Sequence, residues 1–268
     1  MIRGVFFDAG NTILFPDYYI YRDICEALGV EAGIDEIVRA EAKARGAFDR
    51  SVADSPGSDV YDFWPVYYTP FFEMLSVPDE SIPDAIEMTR VANDSGLGIW
   101  KQPVEGLDST LDSLSARDLS LGVISNSDGR LEWRMEEIGI LDRFDFVIDS
   151  AIVGISKPDS RIFEDALKRS SLSPEEAIYV GDYYEVDVRG ARAAGMSPVL
   201  FDPVGAYKDV DCEVISRLKD IVDVVDGWTD DAGWTRDAGR DGDAGRGGSM
   251  GGAGDEGGAG DEGGGNGV

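Results

Sequence analysis

The feature that most constrains the fold is an alternation of short apolar runs with longer helical stretches. The apolar runs are rich in β-branched and aromatic residues, and each stops at a polar or glycine-containing loop, as buried strands do. The five runs are Ile2–Phe7, Leu119–Ser125, Phe144–Ile148, Ala177–Val180 and Ser197–Phe201. Helical patterns lie at Val104–Ala116, Arg130–Ile138, Ser160–Ser170 and Asp187–Ala194. Strands that alternate with helices in this way predict an α/β fold with a doubly wound parallel sheet.

Residues 17–100 interrupt this alternation and carry helical patterns without clear strands. The patterns lie at Tyr21–Leu28, Ile34–Ala47, Tyr61–Met74 and Ile82–Val91. Because the segment follows the first strand, we expect a helical subdomain over one end of the sheet. Its aromatic residues are expected to form the subdomain's core or, as the alternative, a wall facing a substrate. They are Tyr61, Phe63, Trp64, Tyr67, Tyr68, Phe71 and Phe72.

The composition changes abruptly after Asp226. Residues 227–268 consist largely of glycine and acidic residues, with repeats such as Gly-Asp-Glu-Gly-Gly. Such a segment has high backbone entropy and few apolar groups to bury, so we expect a disordered, solvating tail. The predicted α/β part therefore comprises residues 1–16 and 101–226.

The chain contains no histidine. This excludes every nucleophile–histidine scheme, every histidine general base and every histidine-ligated zinc site. Its two cysteines, Cys25 and Cys212, are far apart and form no CxxC pair, which argues against a disulfide framework or a thiolate metal site.

The net charge is −29, from 53 acidic and 24 basic residues among 268. A surface of this sign repels phosphate backbones and anionic lipids, so we expect neither nucleic acid nor a membrane as a partner.

No apolar stretch approaches the ~20 residues that span a bilayer, and the start shows no signal-peptide pattern, so we predict a cytoplasmic protein. The acidic, lysine-poor composition favours a halophilic source, because such surfaces stay hydrated in concentrated salt. The sequence indicates no oligomeric state.

Polar side chains cluster where the predicted strands end. They are Asp8, Ser125, Asn126, Lys157, Asp182 and, at the start of the following helix, Asp187. Each has an ordinary explanation alone, as a turn residue, a helix cap or a solvated charge. Because ligands of open α/β sheets bind at the carboxyl ends of the strands, their order along the chain predicts one functional site.

Four segments that contain these residues resemble the motifs of the haloacid dehalogenase-like (HAD) hydrolase superfamily. They are Phe6–Leu14, Val123–Asn126, Ser156–Asp159 and Val180–Asp187, the last continuing to Met196. Each motif alone is weak, but the ordered set is specific and covers roughly residues 1–205. The resemblance implies a Rossmann-like core and identifies residues 17–100 as a helical cap.

The resemblance also implies hydrolysis of a small phosphorylated metabolite through an aspartyl-phosphate. Asp8 would attack phosphorus, because a carboxylate nucleophile divides one difficult hydrolysis into two easier steps. Lys157 would neutralise the nucleophile and the phosphoryl oxygens. Ser125, Asn126 and Lys157 would bind those oxygens through hydrogen bonds.

Magnesium is the cofactor that the resemblance implies, since this hard cation prefers oxygen ligands. Its ligands would be the carboxylates of Asp8, Asp182 and Asp187 and the main-chain carbonyl of Gly10. Asp187 would act directly or through the outer shell.

Gly10 departs from the phosphatase pattern of the superfamily. Its phosphatases usually carry a second aspartate at this position, as the acid for the leaving group and the base for water. General acid–base help is typically worth ~10²–10⁴-fold, so we expect slow turnover of substrates with poor leaving groups. A cap residue is an alternative proton donor, and Asp17, Tyr18 and Tyr19 are the nearest in sequence.

Two other functions remain open from the sequence. The superfamily's 2-haloacid dehalogenases also lack the second aspartate, and a HAD-fold protein without catalysis would bind a phosphometabolite or a partner. Dehalogenases lack the acidic metal pair, however, and a pure binder needs no buried cluster of charges. Asp182 and Asp187 therefore favour phosphoryl chemistry.

Overall fold

The computed structural model describes residues 1–54 and 63–228. The strands of this part of the chain are β1 (Gly4–Phe7), β2 (Leu14–Pro16), β3 (Trp100–Pro103), β4 (Ser120–Ser125), β5 (Phe146–Asp149), β6 (Ala177–Gly181), β7 (Ser197–Phe201) and β8 (Glu213–Ile215). The α-helices are α1 (Tyr18–Ala27), α2 (Ile34–Asp54), α3 (Phe63–Met74), α4 (Ile82–Asp94), α5 (Leu107–Ser115), α6 (Leu131–Glu137), α7 (Ser150–Val153), α8 (Ser160–Ser170), α9 (Arg189–Ala193) and α10 (Ile221–Gly227).

Six strands form one sheet in the order β5-β4-β1-β6-β7-β8, and every neighbouring pair is parallel. The predicted α/β fold with a doubly wound parallel sheet is therefore confirmed. Strand β1 lies between β4 and β6, with Phe7 in register with Val123 and Val180. The carboxyl ends of these three central strands consequently meet at one edge of the sheet.

The sheet is covered on both faces, which explains why its strands are almost continuously apolar. Along β1, Val5 and Phe7 belong to one hydrophobic cluster, together with residues of α5, α6 and α10. Phe6 belongs to another cluster, together with residues of α8 and α9. The alternation follows from the two-residue period of side chains along a strand.

Helices α1 to α4, which we call the cap helices, share a separate hydrophobic cluster. Four of the predicted aromatic core residues are fully buried there: Tyr67, Tyr68, Phe71 and Phe72. Trp64 packs against the cluster from its edge. Tyr61 and the side chain of Phe63 lie outside the described residues. The division of the chain into core, cap and tail stays a prediction.

A two-stranded antiparallel ribbon, β2 with β3, lies where the cap helices leave and rejoin the rest of the chain. The Asp17 N–H donates to the Ile99 carbonyl at 2.9 Å and extends this pairing. Sequence analysis missed both strands because they are three and four residues long and each ends in proline. It also missed β8, α7 and α10, which have three, four and seven residues.

Several predicted helices have different limits, and two of the differences bear on the site. Helix α2 runs to Asp54 instead of ending at Ala47, because its buried face continues past Gly46 to Asp49. The helix predicted at Asp187–Ala194 starts earlier, as a π-helical turn at Tyr184–Val188 that continues into α9. The Asp187 carboxylate bonds back to the Tyr183 N–H at 2.9 Å and stabilises this turn.

Helix α10 carries the described chain into the start of the predicted tail. Its last residue is Gly227, and Trp228 packs against the cluster that contains Val5 and Phe7. Residues 229–268 lie outside the described residues. Within the described part, both cysteines are free, and no helix is long and apolar enough to cross a membrane.

Candidate active site

The candidate site lies at the carboxyl ends of β1, β4 and β6. Asp8 directly follows β1, and its N–H donates to the Val180 carbonyl at 2.8 Å, which fixes the turn. Asp182 directly follows β6, and Asp187 returns to the same place from the π-helical turn. A Cβ atom on Gly181 would lie 2.4–2.5 Å from side-chain atoms of Asp187. Glycine therefore permits the close approach of this carboxylate to the strand end.

Lys157 is the central cation of the site and is almost completely buried. Its Nζ donates to Asp8 Oδ1 at 2.6 Å, to Asp187 Oδ1 at 2.7 Å and to the Tyr179 hydroxyl at 2.8 Å. Burial opposes the charge, but Asp187 and Asp8 together raise the pKa of Lys157. The lysine is therefore held as an ammonium between two carboxylates.

Asn126 fixes the backbone of Lys157. Its Nδ2 donates to the Lys157 carbonyl at 2.9 Å, and its Oδ1 accepts from the Lys157 N–H at 2.8 Å. The amide side chain of Asn126 is thus engaged in positioning the lysine. Its part in phosphate binding stays a prediction.

Three carboxylates converge beside Lys157: oxygen atoms of Asp8, Asp182 and Asp187 lie within 4.8 Å of one another. Burial raises the pKa of Asp8, and the charge of Asp187 adds to this, against opposing contributions from Lys157 and Ser125. Burial likewise raises the pKa of Asp182 well above its usual range. Among the described residues, Asp182 Oδ1 is a buried oxygen without a hydrogen-bond partner. Crowded carboxylates with an unused oxygen suit a hard cation.

Ser125 and Gly10 complete the set of predicted site residues. Ser125 ends β4, is buried and lies close enough to Asp8 to oppose the rise in the pKa of that carboxyl. Gly10 is half-buried in the loop after Asp8, and a Cβ atom there would lie 3.7 Å from the Trp100 ring. This is an ordinary contact distance, so the structure leaves room for a Cβ atom at position 10.

Helix α2 brings three further charges to the site at four-residue spacing. All three are buried: Glu41, Arg45 and Asp49. Arg45 Nη1 lies 3.5 Å from Asp182 Oδ2, and its Nη2 lies 3.3 Å from Glu41 Oε2. Burial opposes the charge of Arg45, but Glu41 and Asp182 raise its pKa, so the guanidinium stays charged.

Glu41 and Asp49 contact different loops of the α/β part. Glu41 Oε1 accepts from Asn11 Nδ2 at 3.0 Å, in the loop after Asp8. Asp49 accepts from the Tyr184 and Glu185 N–H groups at 3.1 and 2.9 Å and from the Tyr207 hydroxyl at 2.9 Å. Helix α2 is thereby bonded to the π-helical turn that carries Asp187.

The charges of this cluster do not balance. Four carboxylates (Asp8, Glu41, Asp182 and Asp187) are joined by ion pairs to two cations, Lys157 and Arg45. The formal excess of two negative charges equals the charge of one divalent cation. The residues present therefore fit such an ion in both charge and ligand chemistry.

The structure brings Asp8, Gly10, Ser125, Asn126, Lys157, Asp182 and Asp187 together, as the sequence predicts for one site. Sequence analysis missed Glu41, Arg45, Asp49 and Tyr179. The four-residue spacing of the first three along a predicted helix was the available signal. The same spacing is common on solvated helix surfaces, so it did not mark a site.

Comparisons with known proteins identify the family that this chain resembles. The profile of a family described as haloacid dehalogenase-like hydrolase matches residues 79–201. Haloacid dehalogenase-like hydrolase domain-containing protein 3 of Homo sapiens is 42% identical over 215 residues, which cover 76% of this chain and 85% of that protein. Glyceraldehyde 3-phosphate phosphatase of Methanothermobacter thermautotrophicus is 30% identical over 203 residues, which cover 75% of this chain and 85% of that protein.

A solved structure extends the comparison to the fold. The HAD-hydrolase YfnB from Bacillus subtilis, bound to magnesium, superimposes with a TM-score of 0.58 over 84% of this chain and 98% of that chain. The two sequences are 16% identical, so this likeness concerns the fold alone.

Proposed function

The chain belongs to the haloacid dehalogenase-like hydrolase family, and we propose that it is a Mg²⁺-dependent phosphatase acting on a small phosphorylated metabolite. The observation that carries the proposal is the convergence of Asp182 and Asp187 on Asp8, with oxygens within 4.8 Å of one another. Phosphoryl transfer needs this carboxylate set for a divalent cation, whereas dehalogenation does not. The similarity to a glyceraldehyde 3-phosphate phosphatase supports a small phosphate ester as the substrate.

Asp8 is the nucleophile in this proposal. The Asp8 carboxylate forms a bond to phosphorus while the bond from phosphorus to the leaving group breaks, and water then hydrolyses the aspartyl-phosphate. Lys157, 2.6 Å from Asp8 Oδ1, orients the attacking carboxylate and offsets negative charge on the phosphoryl group. Ser125 and the main-chain N–H of Asn126 donate to the phosphoryl oxygens.

The metal site uses residues already in place. Asp8, Asp182, Asp187 and the Gly10 carbonyl would hold Mg²⁺, which when bound supplies positive charge that stabilises the transferring phosphoryl group. Because Gly10 gives no proton to the leaving group, acyl phosphates should react faster than alkyl phosphates.

Phosphate release from acetyl phosphate, p-nitrophenyl phosphate and glycerol phosphate tests the proposal. The assay is run in molar KCl with Mg²⁺, with EDTA, and with the Asp8→Asn variant, whose fold is checked by circular dichroism. We expect turnover that requires both the metal and Asp8, fastest for acetyl phosphate. No turnover by folded wild-type protein would overturn the proposal, and chloride release from 2-chloroacids would then assign dehalogenase activity.

A further inference from the structure

Hydrolysis of an aspartyl-phosphate needs a base that takes a proton from the attacking water, and Gly10 provides none. This question arises only if the proposed function holds. Of the cap residues nearest in sequence, Asp17 pairs with Lys101 at 3.0 Å and caps helix α1. Tyr19 is 58% exposed. Burial raises the pKa of Tyr18, whose hydroxyl therefore keeps its proton and is no base.

Glu41, on helix α2, contacts the loop that contains Gly10. Its Oε1 lies 3.0 Å from the side chain of Asn11, the residue directly after Gly10. Its Oε2 lies 3.3 Å from Arg45, which also contacts Asp182. Glu41 therefore contacts the residue next to the position at which the phosphatase pattern places an aspartate. Arg45 lies between Glu41 and Asp182 of the carboxylate cluster.

The two carboxylate oxygens of Glu41 have different partners. Oε1 accepts hydrogen bonds from Asn11 and from the Tyr67 hydroxyl at 2.5 Å, whereas Oε2 accepts from Arg45. Oε2 is therefore the less occupied of the two oxygens and the candidate proton acceptor. Glu41 is also 1% exposed.

We propose that Glu41 is the general base of the second half-reaction. A water oxygen forms a bond to the phosphorus of phosphorylated Asp8, the bond between phosphorus and the Asp8 oxygen breaks, and the water proton passes to Glu41. Asp8 leaves as a carboxylate, inorganic phosphate departs, and Glu41 returns the proton to solvent before the next turnover. This proposal gives Glu41 no role as a proton donor to the leaving group in the first half-reaction. Acyl phosphates should therefore still react faster than alkyl phosphates.

The Glu41→Gln variant with acetyl phosphate as the probe separates the two half-reactions. Glutamine keeps the volume and an acceptor oxygen for Asn11, and acetate leaves without a proton, so the first step continues. We expect steady-state phosphate release to fall ~10²-fold or more. Mass spectrometry after rapid acid quench should show one phosphoryl group per chain accumulating on Asp8. The matched control is Asp49→Asn, which alters another buried carboxylate of the same helix and should accumulate no phosphoenzyme.

The double variant Gly10→Asp with Glu41→Gln distinguishes a catalytic defect from a folding defect, because restored activity would show that Glu41→Gln does not prevent folding. A Cβ atom at position 10 makes only an ordinary contact, and an aspartate there should restore phosphate release and abolish accumulation. Turnover by Glu41→Gln within threefold of wild type, or equal phosphoenzyme in Asp49→Asn, would overturn the role of Glu41 alone. Wild-type protein that neither releases phosphate nor becomes phosphorylated would overturn the proposed function itself.

Discussion

Replacing Lys157 with methionine tests whether one ammonium holds the buried carboxylates together. Methionine keeps most of the side-chain volume but leaves Asp8 and Asp187 without the cation that lies 2.6 and 2.7 Å from them. Removing one partner of a buried ion pair costs ~3–5 kcal/mol, because the other charge is left uncompensated. Here two carboxylates lose their cation and Tyr179 loses a hydrogen bond. We therefore expect a loss of about 4–5 kcal/mol in the free energy of unfolding.

Urea unfolding followed by tryptophan fluorescence, at pH 8 with EDTA, measures this loss. The matched control is Lys101→Met, which breaks the Asp17–Lys101 pair, where the lysine side chain is 28% exposed. Half-exposed pairs contribute ~0–1 kcal/mol, so the control should stay close to wild type. A Lys157→Met loss no larger than that of Lys101→Met would refute the reasoning.

The same variant reports on the metal site without any activity assay. Removing a positive charge from beside the carboxylates strengthens their attraction for Mg²⁺. The cation stabilises a folded chain by about 2.7 kcal/mol at a hundred times its Kd, so the tighter-binding variant should recover more stability than wild type at equal Mg²⁺. Equal recovery in both proteins would contradict binding at Asp8, Asp182 and Asp187.

Three further predictions concern pH, packing and salt. Burial raises the pKa of Asp49 to about 6, above the ~3.9 of an unfolded aspartate. Its contribution to stability is thus complete below about pH 4 and is lost as pH rises through about 6. In paired urea titrations, wild-type stability relative to Asp49→Asn should increase from pH 7 to pH 5. Gly181→Ala should cost about 1–3 kcal/mol and weaken calorimetric Mg²⁺ binding, because its Cβ would overlap Asp187, whereas Gly227→Ala meets open space and should change neither. If the net charge of −29 reflects a halophilic source, lowering KCl from molar to ~0.1 M should lower the thermal midpoint, and an unchanged midpoint would contradict it.

Much of the fold could be predicted because its strands are buried on both faces and read as apolar runs. Strand β7 has the predicted limits, and β1, β4, β5 and β6 lie within two residues of theirs. Strands β3 and β8 lie largely outside the buried core and β2 has only three residues, so none of them reads as an apolar run. Their positions depend on tertiary pairing, as with Leu14 opposite Pro103.

The candidate site likewise contains residues that the sequence predicts and residues that it does not. Asp8 and Asp182 directly follow strands and Ser125 ends one, so parallel pairing alone predicts that they meet. Glu41 and Arg45 lie on a helix whose docking no local pattern specifies, and their four-residue spacing equally suits a solvated surface. Tyr179 lies inside β6, where an apolar run predicts only core, although its hydroxyl bonds to Lys157.

Helix α2 has a consequence for how this protein can be recombined. Its three charges engage Asn11 in the loop after β1, and Asp182 and the Tyr184–Glu185 backbone in the segment after β6. A chimera that joins this α/β part to a relative's cap without these side chains would leave Asp182 without its guanidinium and two half-buried amides without their acceptor. We therefore expect such a chimera to fold stably only if positions 41, 45 and 49 match the loop residues that they contact.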